Sequence, residues 1–184
     1  CITFDDLPSF SDDAFTDPQK TLVIFTPAVS EDNGFLIYFR SRGFKVMKRA
    51  EVLGEITKEH KTIAVAGTHG KTSVSCLTAH LLFQSKVGCT AILGGIPANY
   101  NTNFLYKKNS DFAVTEADEF DRSFLKLHPY FAVITSADAD HLDVYGDKNS
   151  LIQSFRAFAE KVHKDGVLLV KYGAEIETTG IQTK

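Results

Sequence analysis

The stretch that most constrains the fold is Thr62–Ser85, TIAVAGTHGKTSVSCLTAHLLFQS. Its first apolar run, Ile63-Ala64-Val65-Ala66, is short and unbroken, as a parallel strand buried on both faces requires. Gly67-Thr68-His69-Gly70-Lys71-Thr72 follows, and beyond it Val74, Leu77, Leu81 and Leu82 recur at helical spacing. A strand, a glycine loop and a helix in this order predict a phosphate-binding loop. The glycines let backbone N–H groups turn inward on an anion, and the helix aims its positive end at the same place. Lys71 supplies a mobile cation for terminal phosphates, and the Thr72 hydroxyl is placed to hold Mg²⁺. The spacing departs from G-x-x-x-x-G-K-[ST], which would put glycine at position 65, where this chain has Val65. The bland alternative is a glycine-rich turn with a surface lysine. Lys-Thr directly after the second glycine argues against it.

The flanking sequence fits an α/β fold. Leu22–Phe25 reads as a strand, Glu31–Arg42 as a helix stopped by Gly43, Phe44–Val46 as a strand and Lys48–Lys58 as a helix. After the glycine loop, Cys89–Leu93, Phe112–Thr115, Phe131–Thr135 and Gly166–Lys171 read as strands, and Ser150–Val162 as an amphipathic helix. Strands alternating with helices imply a parallel sheet. Polar Glu59-His60-Lys61 marks a domain boundary, giving residues 1–60 and 61–184. A net charge of −3 argues against a nucleic-acid or membrane surface. No apolar run approaches the roughly 18 residues a membrane span needs. Three cysteines without pattern, and no basic leader, suit a cytoplasmic protein.

Two strand ends carry further chemistry, because ligands of parallel sheets gather beyond the carboxyl ends of strands. Phe112–Thr115 runs into Glu116-Ala117-Asp118-Glu119-Phe120-Asp121, where Glu116 is positioned to hold the Mg²⁺ of a nucleotide. For Asp118, Glu119 and Asp121 a ligand role and a solvated turn both stay open. Phe131–Thr135 runs into SADADHLD, where His141 stands among aspartates; His60, His80, His128 and His163 lack such a setting. Between these strands, Gly94–Asn103 is either a plain connection or a polar wall for a sugar or phosphate.

Taken in order, VAGTHGKTS, LGG with the later NYNTN, TEADEFDRSF and DADHLDVYGD resemble the Mur ligases, ATP-dependent amide-bond-forming enzymes of peptidoglycan precursor synthesis. The resemblance runs from about residue 20 to 171. It implies a parallel-sheet P-loop ATPase core, the family's central domain, in 61–184. TPAVSEDN and KRAEVLGEIT resemble the end of the family's Rossmann-like UDP-binding domain, which would fill 1–60. By the same resemblance, Gly67, Thr68, His69, Gly70, Lys71, Thr72 and Ser73 would cradle ATP. Lys71, Glu116 and His141 would be catalytic, with Thr72, Glu116 and His141 as Mg²⁺ ligands. Asn99, Asn101, Thr102, Asn103, Asp121 and Arg122 would lie on the muramate side. The histidine of GTHGKT, the EADE block and the DHLD block resemble most the branch that joins L-alanine to UDP-N-acetylmuramate through an acyl phosphate. A sibling branch, which attaches a murein tripeptide to the same sugar, shares GTHGKT and EADE. Folylpolyglutamate synthetase shares the ATPase fold but fits the His69 loop and EADE poorly, and a non-catalytic P-loop module is the rival of a different class. The family's C-terminal, amino-acid-binding domain has no counterpart here, so the chain is expected to be a fragment.

Overall fold

The computed structural model describes residues 17–138 and 145–183. The chain divides into two compact units, Cys1–Val52 and Leu53–Lys184. In the first, β1 (Leu22–Phe25) and β2 (Lys45–Lys48) pair in parallel and are joined by α1 (Gly34–Ser41). Phe25, Leu36, Phe39 and Phe44 form the buried side of this unit, with Phe39 and Phe44 edge to face at 5.1 Å. α1 starts three residues later than Glu31, where its periodicity first reads as helical. Asn33 is the reason: its side chain accepts the Phe35 N–H at 2.9 Å and caps the helix there. Glu31 is instead drawn to Arg40 at 2.6 Å and Lys48 at 3.4 Å.

The division between the units falls within α2 (Arg49–Lys58). The second unit is built on β3 (Lys61–Ala66), α3 (Lys71–Gln84), β4 (Thr90–Ile92), β5 (Phe104–Leu105), β6 (Phe112–Ala117), a 3₁₀ segment (Phe120–Lys126), β7 (Phe131–Ile134), α4 (Lys148–Ala159) and β8 (Val167–Val170). The six strands lie in the order β5-β4-β6-β3-β7-β8, all parallel except the β4–β5 pair. β5 has no counterpart in the sequence reading; two residues are too few to show alternation. β3 lies between β6 and β7, while the chain runs from β3 out to β4, back to β6 and across to β7. The carboxyl end of β3 is therefore where strand order reverses, and where such sheets form a crevice.

Side-chain alternation along β3 gives each face a core. Ala64 and Ala66 pack with Phe124, Phe155 and Phe158 on one face, and Ile63 joins Ala79, Leu93 and Val114 on the other. Phe124 stacks on Phe158 at 5.1 Å and meets Phe155 edge-on at 5.5 Å. α3 departs from expectation in its burial. Leu77 and Leu81 are 61% and 63% exposed, while Ser75 and Ala79 are buried against the sheet. Small side chains on that face let the helix axis sit close to β6, which its place at the loop demands.

Gly54 in α2 faces the carbonyl oxygen of Lys126, which a Cβ would approach to 2.6 Å. Helix propensity alone favours alanine over glycine by about 1 kcal/mol. The contact should reverse that sign, and Gly54→Ala is expected to destabilise the fold by about 1–3 kcal/mol, read as a fall in melting temperature.

Candidate functional site

Gly67 has φ of +132° and Gly70 of +83°, conformations in which a side chain is strained. At Gly67 there is also no room: a Cβ would stand 2.1 Å from Thr135 Oγ1 and 2.8 Å from the Ser136 nitrogen. Val65 is a fully buried residue of β3, so the loop begins at Gly67 and position 65 needs no glycine. Hydroxyls that follow β7 stitch the loop in place. Ser136 Oγ accepts the His69 N–H at 2.9 Å and lies 2.9 Å from Thr68 Oγ1. The single Thr135 hydroxyl hydrogen is shared between the carbonyls of Ala66, at 3.0 Å, and His69. Thr68 Oγ1 also accepts the Asp138 N–H at 3.1 Å. The His69 backbone is thus held on both sides while its ring is exposed. Gly70 caps α3 without a side-chain hydrogen bond, so the first-turn N–H groups face outward for an anion. Thr72 and Ser73 are exposed in that turn.

Lys71 Nζ turns back into the loop. It donates to the Gly67 carbonyl at 2.8 Å and lies 3.0 and 2.8 Å from the two carboxylate oxygens of Glu119. Glu119 is 0% exposed, which settles the reading left open for it: a buried counter-ion, not a solvated turn. Its carbonyl accepts the Arg122 N–H at 3.0 Å and the Tyr145 hydroxyl. Burial, and then the Glu119 charge, push the Tyr145 phenol up to about 12, so it stays a donor at neutral pH. Asp118 and Asp121 are exposed turn residues, whose Oδ1 atoms accept the N–H groups of Phe120 at 3.3 Å and Ser123 at 3.0 Å.

Thr72 Oγ1 donates to Glu116 Oε2 at 3.1 Å. Oε1 of the same carboxylate accepts Ser75 Oγ at 3.2 Å and the Gly94 N–H at 2.8 Å. A hydroxyl and a carboxylate oxygen side by side at a helix start fit a hard cation such as Mg²⁺. The Gly94-Gly95 pair exists for this approach: a Cβ at Gly94 would meet Glu116 Oε2 at 2.5 Å, and one at Gly95 would meet Thr72 Cγ2 at 2.9 Å. His141 lies outside the described residues.

The residues expected on the muramate side fall into two places. Asn99, Asn101 and Asn103 are exposed on the loop between β4 and β5, with Asn101 at φ +52°. Thr102 Oγ1 accepts the Phe104 N–H at 3.2 Å, and Asn103 O accepts the Leu93 N–H at 2.9 Å. Tyr100, which the sequence reading did not single out, anchors this loop to α3. Its hydroxyl lies 2.8 Å from His80 Nδ1 and accepts Gln84 Nε2 at 3.2 Å, and its ring meets Phe83 edge-on at 5.6 Å. Asp121 and Arg122 hold left-handed φ of +54° and +59°, with the Arg122 guanidinium 5.3 Å above the Tyr145 ring. Through Tyr145 and Glu119 they connect to Lys71. Thr135, Ser136 and Glu119 were not singled out from sequence as holders of the loop, although each stands just past a strand beside it.

A parallel sheet whose switch-point strand ends in a glycine loop, with a lysine, a hydroxyl and a carboxylate converging there, defines a P-loop nucleotide-binding domain of the ATPase type. The model of the Mur ligase middle domain matches residues 65–183, and the chain belongs to the Mur ligase family. It is 54% identical over 175 residues to a UDP-N-acetylmuramate–L-alanine ligase of Parabacteroides distasonis, covering 95% of this chain and 38% of the relative. A ligase of the same name from Porphyromonas gingivalis is 53% identical over 173 residues, covering 91% and 38%. The chain thus spans 38% of the length of these curated relatives. Among solved structures, the UDP-N-acetylmuramate–alanine ligase of Thermotoga maritima is similar with a TM-score of 0.72 at 29% identity, over 84% of this chain and 36% of that one. The fold alone is shared with a UDP-N-acetylmuramate:L-alanyl-gamma-D-glutamyl-meso-diaminopimelate ligase from Neisseria meningitides, with a TM-score of 0.71 at 21% identity over 84% and 52%.

If Ser136 Oγ fixes the loop, Ser136→Ala should free the His69 amide. A buried hydrogen bond contributes about 1–1.5 kcal/mol, so His69 amide exchange should speed up on the order of tenfold while β3 amides keep their protection.

Proposed function

We propose that this chain carries the ATP-binding centre of a bacterial, cytoplasmic ligase that joins L-alanine to UDP-N-acetylmuramate. The observation that carries the reading is the convergence of Lys71, Thr72 and Glu116 at one loop, in a chain about half identical to ligases of that name. Because the chain spans 38% of those relatives, the whole reaction is proposed for a protein of their full length. Residues 61–184 are assigned to its ATP-binding domain and residues 1–60 to the end of its UDP-sugar-binding domain.

In this reading the backbone N–H groups of Gly67–Ser73 bind the β- and γ-phosphates, and Lys71 neutralises them. Thr72 and Glu116 would hold the Mg²⁺ of the nucleotide, and His141 would serve a second Mg²⁺ that also meets the substrate carboxylate. The ion, when bound, offsets phosphate charge and withdraws electrons from the transferring phosphoryl group. The γ-phosphoryl group passes from ATP to the carboxylate of UDP-N-acetylmuramate, giving ADP and an acyl phosphate. The free amine of L-alanine then attacks the carbonyl carbon; an amide bond forms, the C–O bond to phosphate breaks, and the amine gives up one proton. Two anions must meet in the first step, so the cations of the loop have the most to do there. Asn99, Asn101, Thr102, Asn103, Asp121 and Arg122 are assigned to the muramate side.

The test is phosphate release by the full-length protein. Release only when ATP, UDP-N-acetylmuramate and L-alanine are all present is the expected result. Release without acceptors would mean a simple nucleotidase, and release with a murein tripeptide in place of L-alanine would mean the sibling ligase. Lys71→Ala should weaken Mg·ATP binding by about 10- to 100-fold, the worth of a charge-assisted hydrogen bond. It should also lower the melting temperature, because Glu119 is left buried without its cation; calorimetric titration and thermal melts read both. His141→Ala should leave ATP affinity within about twofold and abolish ligation, as expected for a group that serves the transferred phosphoryl and acceptor.

A further inference from the structure

An ammonium group has three N–H donors, and the contacts of Lys71 occupy that capacity. The Gly67 carbonyl lies at 2.8 Å, and the Glu119 carboxylate oxygens at 3.0 and 2.8 Å. Glu119 cannot swing away easily, since it is wholly buried and its own carbonyl is held by Tyr145 and by the Arg122 N–H. A phosphate reaching this loop meets a neutral ion pair rather than a free cation. Glu116 adds a second carboxylate on the other side of the first helical turn, beside Thr72. With Lys71 at +1 and Glu119 and Glu116 at −1 each, these three side chains sum to −1 and add no net attraction for a metal-free polyphosphate to that of the loop N–H groups.

Resting on the nucleotide-binding reading above, we propose that Glu119 is a positioning residue that makes nucleotide capture depend on a divalent cation. It holds the Lys71 ammonium inside the loop and offsets its charge, so attraction for the phosphates arrives with the metal that accompanies them. Lys71 then exchanges one carboxylate oxygen for a phosphate oxygen while the other keeps it aimed. The role differs from that of Glu116, which stands beside the Thr72 hydroxyl and not beside the lysine.

The experiment is titration of the full chain with ATP in excess EDTA and with Mg·ATP, for wild type, Glu119→Gln and Glu119→Asp. Wild type should bind Mg·ATP far more tightly than metal-free ATP. Glu119→Gln should tighten metal-free ATP on the order of tenfold and shrink the ratio accordingly, the effect of removing one opposite charge at contact distance. Glu119→Asp, which keeps the charge, should keep the wild-type ratio. An unchanged ratio in Glu119→Gln, with wild type binding Mg·ATP, overturns this inference alone. A wild type that binds no Mg·ATP overturns the nucleotide reading and this inference with it. Should Glu119→Gln not fold, the ¹⁵Nζ signal of Lys71 in wild type decides: it should move with Mg·ATP and stay with metal-free ATP at equal concentration. Equal movement with both overturns the proposal.

Discussion

A buried carboxylate is tolerated only where its charge is met, and Glu119, paired with Lys71, is such a group at the centre of this site. Its partner is Lys71, the lysine of the glycine loop. Much of the neighbouring backbone follows from this pairing. To bring Glu119 inward just after β6, the chain turns through left-handed conformations at Asp121 and Arg122, which cost about 1 kcal/mol or more each in non-glycine residues. Asp121 eases the turn by accepting the Ser123 N–H, and Arg122 rests on the ring of Tyr145, whose hydroxyl returns to Glu119. Ion pair, turn and aromatic cap are thus joined by direct contacts.

The second constraint is steric. β3 ends between β6 and β7, so whatever follows it must pass close to the start of both neighbouring loops. On the β7 side the loop meets Thr135 and Ser136 so closely that only a residue without Cβ fits at position 67. On the β6 side, Gly94 and Gly95 give way to Glu116 and Thr72 for the same reason. Glycines and hydroxyls thus trade places around the site: where one segment gives up its side chain, the other supplies a polar group to the backbone left bare.

These relations explain what was legible in the sequence. Long apolar runs such as Ile63–Ala66 and Phe131–Thr135 announce buried parallel strands, and the glycine loop announces its ligand class, because both depend on neighbours along the chain. The order β6-β3-β7 depends on pairing between segments far apart and leaves no trace in periodicity. For the same reason Ser136 reads as an ordinary loop serine until the fold puts it against His69. α3 misleads more actively. Its leucines mark helical spacing, but Ser75 and Ala79 face the sheet, since a helix that must start at the loop and lie on β6 has room only for small residues there. Asn33 is a different case: asparagine is a favoured helix cap, a local signal that apolar periodicity does not contain.

The acidic run after β6 shows why residue type alone could not assign roles. Strand alternation puts Glu116 on the same face as Val114, toward α3, where Ser75, Thr72 and the Gly94 amide meet its oxygens. Ala117 faces the opposite core. Pairing ends at Ala117, the alternation rule lapses, and the turn decides the rest: Asp118 points outward and Glu119 inward. Two glutamates three positions apart thus reach opposite sides of one helical turn, one beside a hydroxyl and open to a cation, the other closed around a lysine. The difference in accessibility, more than any difference in chemistry, separates a group that can exchange ligands from one that fixes a partner.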